Sequence, residues 1–120
     1  MIQLEAVVSD RGSRYAVSGG AVVGRAGVDV FLRDLKRQKK YAKATHNTWA
    51  VILSEEGPVR HDDGESGAGA VILKMLEREG LTDCVVVVTR WYGGVHLGGD
   101  RFAHVVTCVR AFLEAWRKAG

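Results

Sequence analysis

Three short stretches of this 120-residue chain combine residue types that do chemistry. In Ala44-Thr45-His46-Asn47 a histidine stands just ahead of an apolar run, where it can titrate or bind a ligand, or serve as a hydrogen-bonded structural residue. In His61-Asp62-Asp63-Gly64-Glu65-Ser66-Gly67-Ala68-Gly69 three carboxylates sit among glycines immediately before a helical pattern. Glycines let a ligand approach the backbone and a helix start offers free N–H groups, but three carboxylates repel a phosphate. They serve either as caps for the orphan amides of the helix or as ligands of a hard cation such as Mg²⁺ that bridges to a phosphate. The third stretch is Thr89-Arg90-Trp91-Tyr92-Gly93-Gly94-Val95-His96-Leu97-Gly98-Gly99-Asp100-Arg101, with four glycines in the seven positions 93–99. Arg90, leaving a buried strand, can take a phosphate or carboxylate in a bidentate manner, and Trp91 and Tyr92 can stack a base or close the edge of the core.

Other chemistries leave no trace. There is no Walker-type phosphate loop, no EF-hand spacing, no Cys-x-x-Cys and no His-x-x-x-His. Cys84 and Cys108 lie in apolar segments and read as reduced core thiols, which suits a cytoplasmic chain. The N-terminus, Met1-Ile2-Gln3-Leu4-Glu5, has no basic region followed by an apolar stretch, and no apolar run approaches the ~20 residues that span a bilayer. No membrane partner, metal or cofactor is expected.

The elements that must position these residues follow from periodicity. Ile2 to Val8 alternates as a half-buried strand, Asp10-Arg11-Gly12-Ser13 turns, and Tyr15 to Val23 alternates again. After a break at Gly27, Val28, Phe31, Leu32 and Leu35 mark an amphipathic helix running into a lysine-rich stretch. Thr48 to Leu53 is a strand apolar on both faces, with Trp49, Val51 and Leu53 opposite Ala50 and Ile52. Ser54 to Glu65, polar and holding the only proline, is expected as a long exposed loop. Ala68 to Leu76 is a second helix closed by Gly80, and Cys84 to Thr89 a central strand. Asp100 is expected to cap a last helix with the stripe Phe102, Val105, Val106, Val109, Phe112, Leu113 and Trp116. The order β-β-α-β-loop-α-β-loop-α, without repeat or linker, predicts one domain over residues 1–120.

Lys and Arg total 17 against 14 Asp and Glu. The excess lies in the first half, at Arg33, Lys36, Arg37, Lys39, Lys40 and Lys43, a run that is either a solvated helix face or an attractor of nucleic acid or acidic protein. Glu55, Glu56, Asp62, Asp63 and Glu65 form an acidic counterpart, so the molecule is polarised.

Taken in order, Lys43-Ala44-Thr45-His46-Asn47, Asp62-Asp63-Gly64-Glu65-Ser66-Gly67-Ala68-Gly69 and Arg90-Trp91-Tyr92-Gly93-Gly94-Val95-His96-Leu97-Gly98 closely resemble the IMPACT family, also called the YigZ family. Phe31-Leu32 and Asp100-Arg101-Phe102 fit its pattern, and the wording is nearer the eukaryotic branch. The resemblance runs from about Ser13 to the end. It implies an α+β fold, a two-layer sandwich of a mixed sheet with helices on one face, like the second domain of ribosomal protein S-five with its left-handed βαβ crossover. Pattern reasoning alone predicts the right-handed connection.

The resemblance further implies a non-enzymatic binding module in translational control, since eukaryotic members bind the scaffold that activates the amino-acid-starvation kinase. The partner expected is a translation-regulatory protein or the ribosome. The alternatives are RNA or DNA binding by the basic helix with the glycine-rich loop, and a metal-assisted phosphate-handling enzyme built on Asp62, Asp63 and Glu65. The chain carries neither the N-terminal RWD domain of eukaryotic members nor the C-terminal ferredoxin-like domain of bacterial ones, as a fragment or a minimal relative would. The candidate cleft comprises His46, Asp62, Asp63, Gly64, Glu65, Ser66, Gly67, Arg90, Trp91, Tyr92, Gly93, Gly94, His96, Gly98 and Arg101.

Overall fold

The run Cys84–Val88, apolar at every position, becomes the middle strand of the sheet. In the computed structural model, which describes residues 1–120, the elements are β1 (Ile2–Asp10), β2 (Ser13–Ala21), α1 (Gly24–Arg37), α2 (Lys39–Ala42), β3 (His46–Leu53), β4 (Gly57–His61), α3 (Ala68–Glu79), β5 (Cys84–Trp91) and α4 (Asp100–Ala119). The sheet order is β1-β2-β5-β3-β4. Successive side chains of β5 point to opposite faces, so Cys84, Val86 and Val88 enter one core while Val85 and Val87 enter another.

The α+β class stands, with three corrections. Every neighbouring pair of strands is antiparallel, so the sheet is not mixed. The parallel partners β2 and β3 are separated by β5, and β4 and β5 by β3. Helices cover both faces: α3 and α4 pack on Val17, Ala50, Val86 and Val88, whereas Val28, Phe31 and Leu35 of α1 pack on Ala16, Val51, Val85 and Val87. Residues 54–65 are not all loop, because Gly57–His61 pairs with β3 as an edge strand. Pro58 is tolerated there because an edge strand needs no donor on its outer side.

Handedness follows from this layout. The β2–α1–β3 and β4–α3–β5 connections step across the sheet in opposite directions along oppositely running strands. A half-turn about the sheet normal superposes strand direction and step but leaves α1 and α3 on opposite faces. The two crossovers therefore have opposite hands, and one of them is left-handed, against the usual right-handed preference.

The helices otherwise follow their stripes. Gly27 lies inside α1 rather than before it, and the lysine-rich stretch forms the separate turn α2. Gly80 closes α3 at φ 63°. Helix α4 buries Val105, Cys108, Val109, Phe112 and Leu113; its N-cap position is Gly99, with Asp100 already inside the first turn. Phe112 lies over Gly19, whose missing side chain makes room for the ring. Burying a phenylalanine this fully contributes about 1.5–3 kcal/mol.

Candidate functional site

Where β3 begins, β5 ends, and the register sets His46 opposite Arg90 and Asn47 opposite Thr89. The loop between β4 and α3 folds back over this point. Thr48 Oγ1 donates to the Asp62 carbonyl at 2.8 Å, Asn47 N–H donates to Asp63 Oδ2 at 2.7 Å, and the Asp63 carbonyl lies 2.8 Å from His46 Nδ1. Asp63 and Gly64 take φ of 51° and 85°, a turn that glycine and aspartate accept most readily. A Cβ on Gly64 would press on the His46 ring at 3.2 Å.

The three carboxylates of this loop have three separate employments. Asp62 caps α3 from outside, accepting the N–H of Gly67 at 3.0 Å and of Gly69 at 2.8 Å. The Gly67 N–H above all holds its carboxyl below the usual range. Asp63 holds β3. Glu65 is almost wholly buried and meets both of its partners inside: Arg90 Nη1 donates to its two oxygens at 3.0 and 3.2 Å, and His46 Nε2 lies 3.1 Å from Oε2. The cation-bridging arrangement of Asp62, Asp63 and Glu65 is thus corrected, because the carboxylates diverge and no His, Cys, Asp or Glu group is arranged to hold a metal.

Arg90 is the hub. Its side chain is 6% exposed, and Nη2 donates to Ser13 Oγ at 3.3 Å, which in turn accepts Gly93 N–H at 3.1 Å. Its guanidinium lies 5.6 Å from the Tyr15 ring centroid and 5.5 Å from that of Tyr92, within cation–π range. Burial pushes the Tyr15 hydroxyl up to about 12, against the opposing pull of Arg90. A buried ion pair of this kind gains little net stability over an apolar pair of the same shape, but loses much when one partner is removed.

Above this floor opens a cleft of about 510 Å³ lined by Thr45, His46, Gly64, Glu65, Arg90, Tyr92, His96, Leu97, Gly98 and Arg101. His46, Gly64, Glu65, Arg90, Tyr92, His96, Gly98 and Arg101 were expected there and are brought together. The remainder lie elsewhere. Asp62 and Asp63 are engaged as described, Gly67 stands at the start of α3 against the Phe102 ring, and Ser66 and Gly94 do not line the cleft. Gly93 packs on the backbone of Gly12. Trp91 points to the opposite face, donating its Nε1–H to the Lys40 carbonyl at 3.0 Å and meeting Tyr41 edge-on at 5.2 Å. It anchors α2 and is not offered to a base. Thr45 and Leu97 stand within the three stretches but outside the candidate cleft set, and they line the cleft; Ser13 is a site residue outside those stretches.

The basic residues form a separate surface. Arg33, Lys36, Arg37, Lys39, Lys40 and Lys43 are all exposed along α1 and α2, and only Arg37 (to Asp34, 3.2 Å) and Lys40 (to Glu5, 2.6 Å) have ion-pair partners.

Residues 11–113 match the Impact N-terminal domain family. Among curated proteins, the chain is 39% identical over 115 residues to Protein IMPACT homolog of Caenorhabditis elegans, covering 90% of this chain and 45% of that protein. To Protein IMPACT of Bos taurus it is 40% identical over 111 residues, 88% of this chain and 35% of the relative. The chain spans less than half the length of these relatives. A crystal structure described as that of a hypothetical protein superposes with a TM-score of 0.78 at 22% identity, over 93% of this chain and 57% of its own, a likeness of fold. The structure of the two-domain translational regulator Yih1 superposes with a TM-score of 0.55 at 31% identity, over 87% of this chain and 42% of its own.

Proposed function

The chain belongs to the Impact N-terminal domain family, and from that membership we propose that residues 1–120 act as one non-enzymatic binding module in translational control. The observation that carries this reading is the 31% identity with a protein described as a translational regulator. The site chemistry is consistent with it. Glu65 is engaged by Arg90 and His46 and Asp62 by the start of α3, so both carboxylates serve the structure, while Arg90 Nε is buried without a partner. The partner is a translation-regulatory protein or the ribosome, met in the cytoplasm. The test is retention of the purified 120-residue chain on ribosomes and on the scaffold of the amino-acid-starvation kinase; retention on neither overturns the reading.

A second reading rests on the exposed basic face of α1 and α2. There Lys36, Lys39 and Lys43, free of carboxylate partners, contact an RNA backbone. Binding through several phosphates weakens with added salt, with a log–log slope of about 0.7 per contact for single strands. A flat salt response, or unchanged affinity after Lys39→Glu with Lys43→Glu, counts against it.

A further inference from the structure

We propose that the cleft between the ends of β3 and β5 binds a phosphate group carried by a planar ring, the chemistry of a nucleotide. The floor and the rim of this cleft differ in kind. On the floor, Glu65, Arg90 and His46 are engaged with one another. On the rim, Arg101 has no carboxylate partner, and His96 and the Tyr92 hydroxyl make no hydrogen bond within the protein.

Charge decides the sign of the ligand. Glu65 is the only carboxylate lining the cleft, and Arg90 neutralises it. Other acids are engaged outside the cleft lining: Asp10 and Asp100 share Arg11, Asp10 also meets His104, and Asp63 accepts the Asn47 N–H. Arg101 is left as an uncompensated guanidinium at the cleft mouth, the group best suited to a phosphate.

The planar part of the ligand follows from Tyr92. Tyr92 is 42% exposed although Arg90, two residues before it, is buried, and the Arg90 guanidinium lies 5.5 Å from its ring centroid while the His96 ring lies 5.7 Å away. An aromatic ring fixed at the mouth of a concave site is a stacking platform. The space beside Gly98 is empty, and the cleft volume of about 510 Å³ falls within the range of small-molecule sites.

This inference is independent of the partner reading, and its test is separate. Amide and side-chain NMR shifts of the whole chain are followed at fixed ionic strength with inorganic phosphate, adenosine, adenosine 5′-monophosphate, and a short RNA with or without a 5′-phosphate. The monophosphate shifts residues of the 92–101 segment and His46, and binds about tenfold or more tighter than phosphate or adenosine alone. Arg101→Ala brings it down to the adenosine level and Tyr92→Leu down to the phosphate level; both residues stand on the surface of the cleft, so the fold persists. If the phosphorylated RNA reproduces the shifts, the natural ligand is a strand end; if only the free nucleotide does, it is a small molecule, and either result supports the site. Absence of shifts with every probe at about 10 mM, shifts indifferent to Arg101→Ala, or shifts confined to α1 and α2 overturn it.

Discussion

Nε2 of His46 lies 3.1 Å from Oε2 of Glu65, and because Nδ1 faces the Asp63 carbonyl, the imidazole is oriented with its proton-bearing Nδ1 toward the loop. The Nε2–Oε2 contact is then a hydrogen bond only when one further proton lies between the two atoms. His46, Glu65 and Arg90 thus behave as one unit, joining β3, the loop before α3 and β5.

That unit is testable by stability. Glu65→Ala leaves the Arg90 guanidinium buried without its counter-ion, and costs about 3–5 kcal/mol. Arg90→Met combined with the same Glu65→Ala removes both charges and costs less than the two single changes together, with a coupling energy of about 1–3 kcal/mol. Urea unfolding of the four proteins measures it. Additive losses would show that the pair acts as two unrelated residues.

Acid should loosen the molecule through a different set of groups. Asp10 is held at about 2 by Arg11 and His104, and Asp62 below its usual value of 3.8 by the Gly67 and Gly69 amides. A carboxyl depressed on folding contributes stability above its unfolded value, and that contribution is lost as pH falls through the folded one. Stability therefore declines between about pH 4 and pH 2, and Asp62→Asn makes the decline shallower while lowering the plateau at neutral pH. Thermal unfolding across this range checks it; an Asp62→Asn curve parallel to the wild type's would refute the role of the cap.

Much of this arrangement is written in local pattern, and its gaps have physical causes. The stripe Val28, Phe31, Leu35 and the doubly apolar β3 and β5 are readable because burial imposes a period. Strand β4 is not, since an edge strand with Pro58 and polar neighbours has the composition of a loop. Trp91 and Arg90 are adjacent in sequence but face opposite sides of the sheet, so proximity in the motif gave Trp91 a role that its strand position forbids. Ser13 carries no signal at all: its value lies in an Arg90 contact 77 residues away. Arg90 and Glu65 could be singled out as types suited to a site, while their being partners of one another could not.

The two thiols give a probe of core integrity. Burial pushes both Cys84 and Cys108 up to about 12, and both side chains are fully enclosed. The thiolate is the reactive form, so neither is alkylated by iodoacetamide at about pH 8 while the protein is folded. Mass spectrometry should find modification only at the rate of unfolding, rising with urea. Rapid labelling of either cysteine in the native protein would mean that the α4 face of the sheet opens locally.

Gly93 offers the sharpest single substitution. A Cβ at this position would overlap the carbonyl carbon of Gly12, backbone against backbone, with no flexible side chain to yield. The same residue donates its N–H to Ser13 Oγ, which also receives Arg90 Nη2. Gly93→Ala must therefore push the β1–β2 turn away from the end of β5, and with it the hydroxyl that completes the Arg90 shell. A loss of about 2 kcal/mol or more is expected, beyond the usual effect of a surface substitution. Ser13→Ala, which removes the hydroxyl but leaves the backbone in place, should cost about 1–3 kcal/mol by leaving buried donors unpaired. If Gly93→Ala is harmless while Ser13→Ala is costly, the turn adjusts freely and the shell of Arg90 does not depend on that close approach.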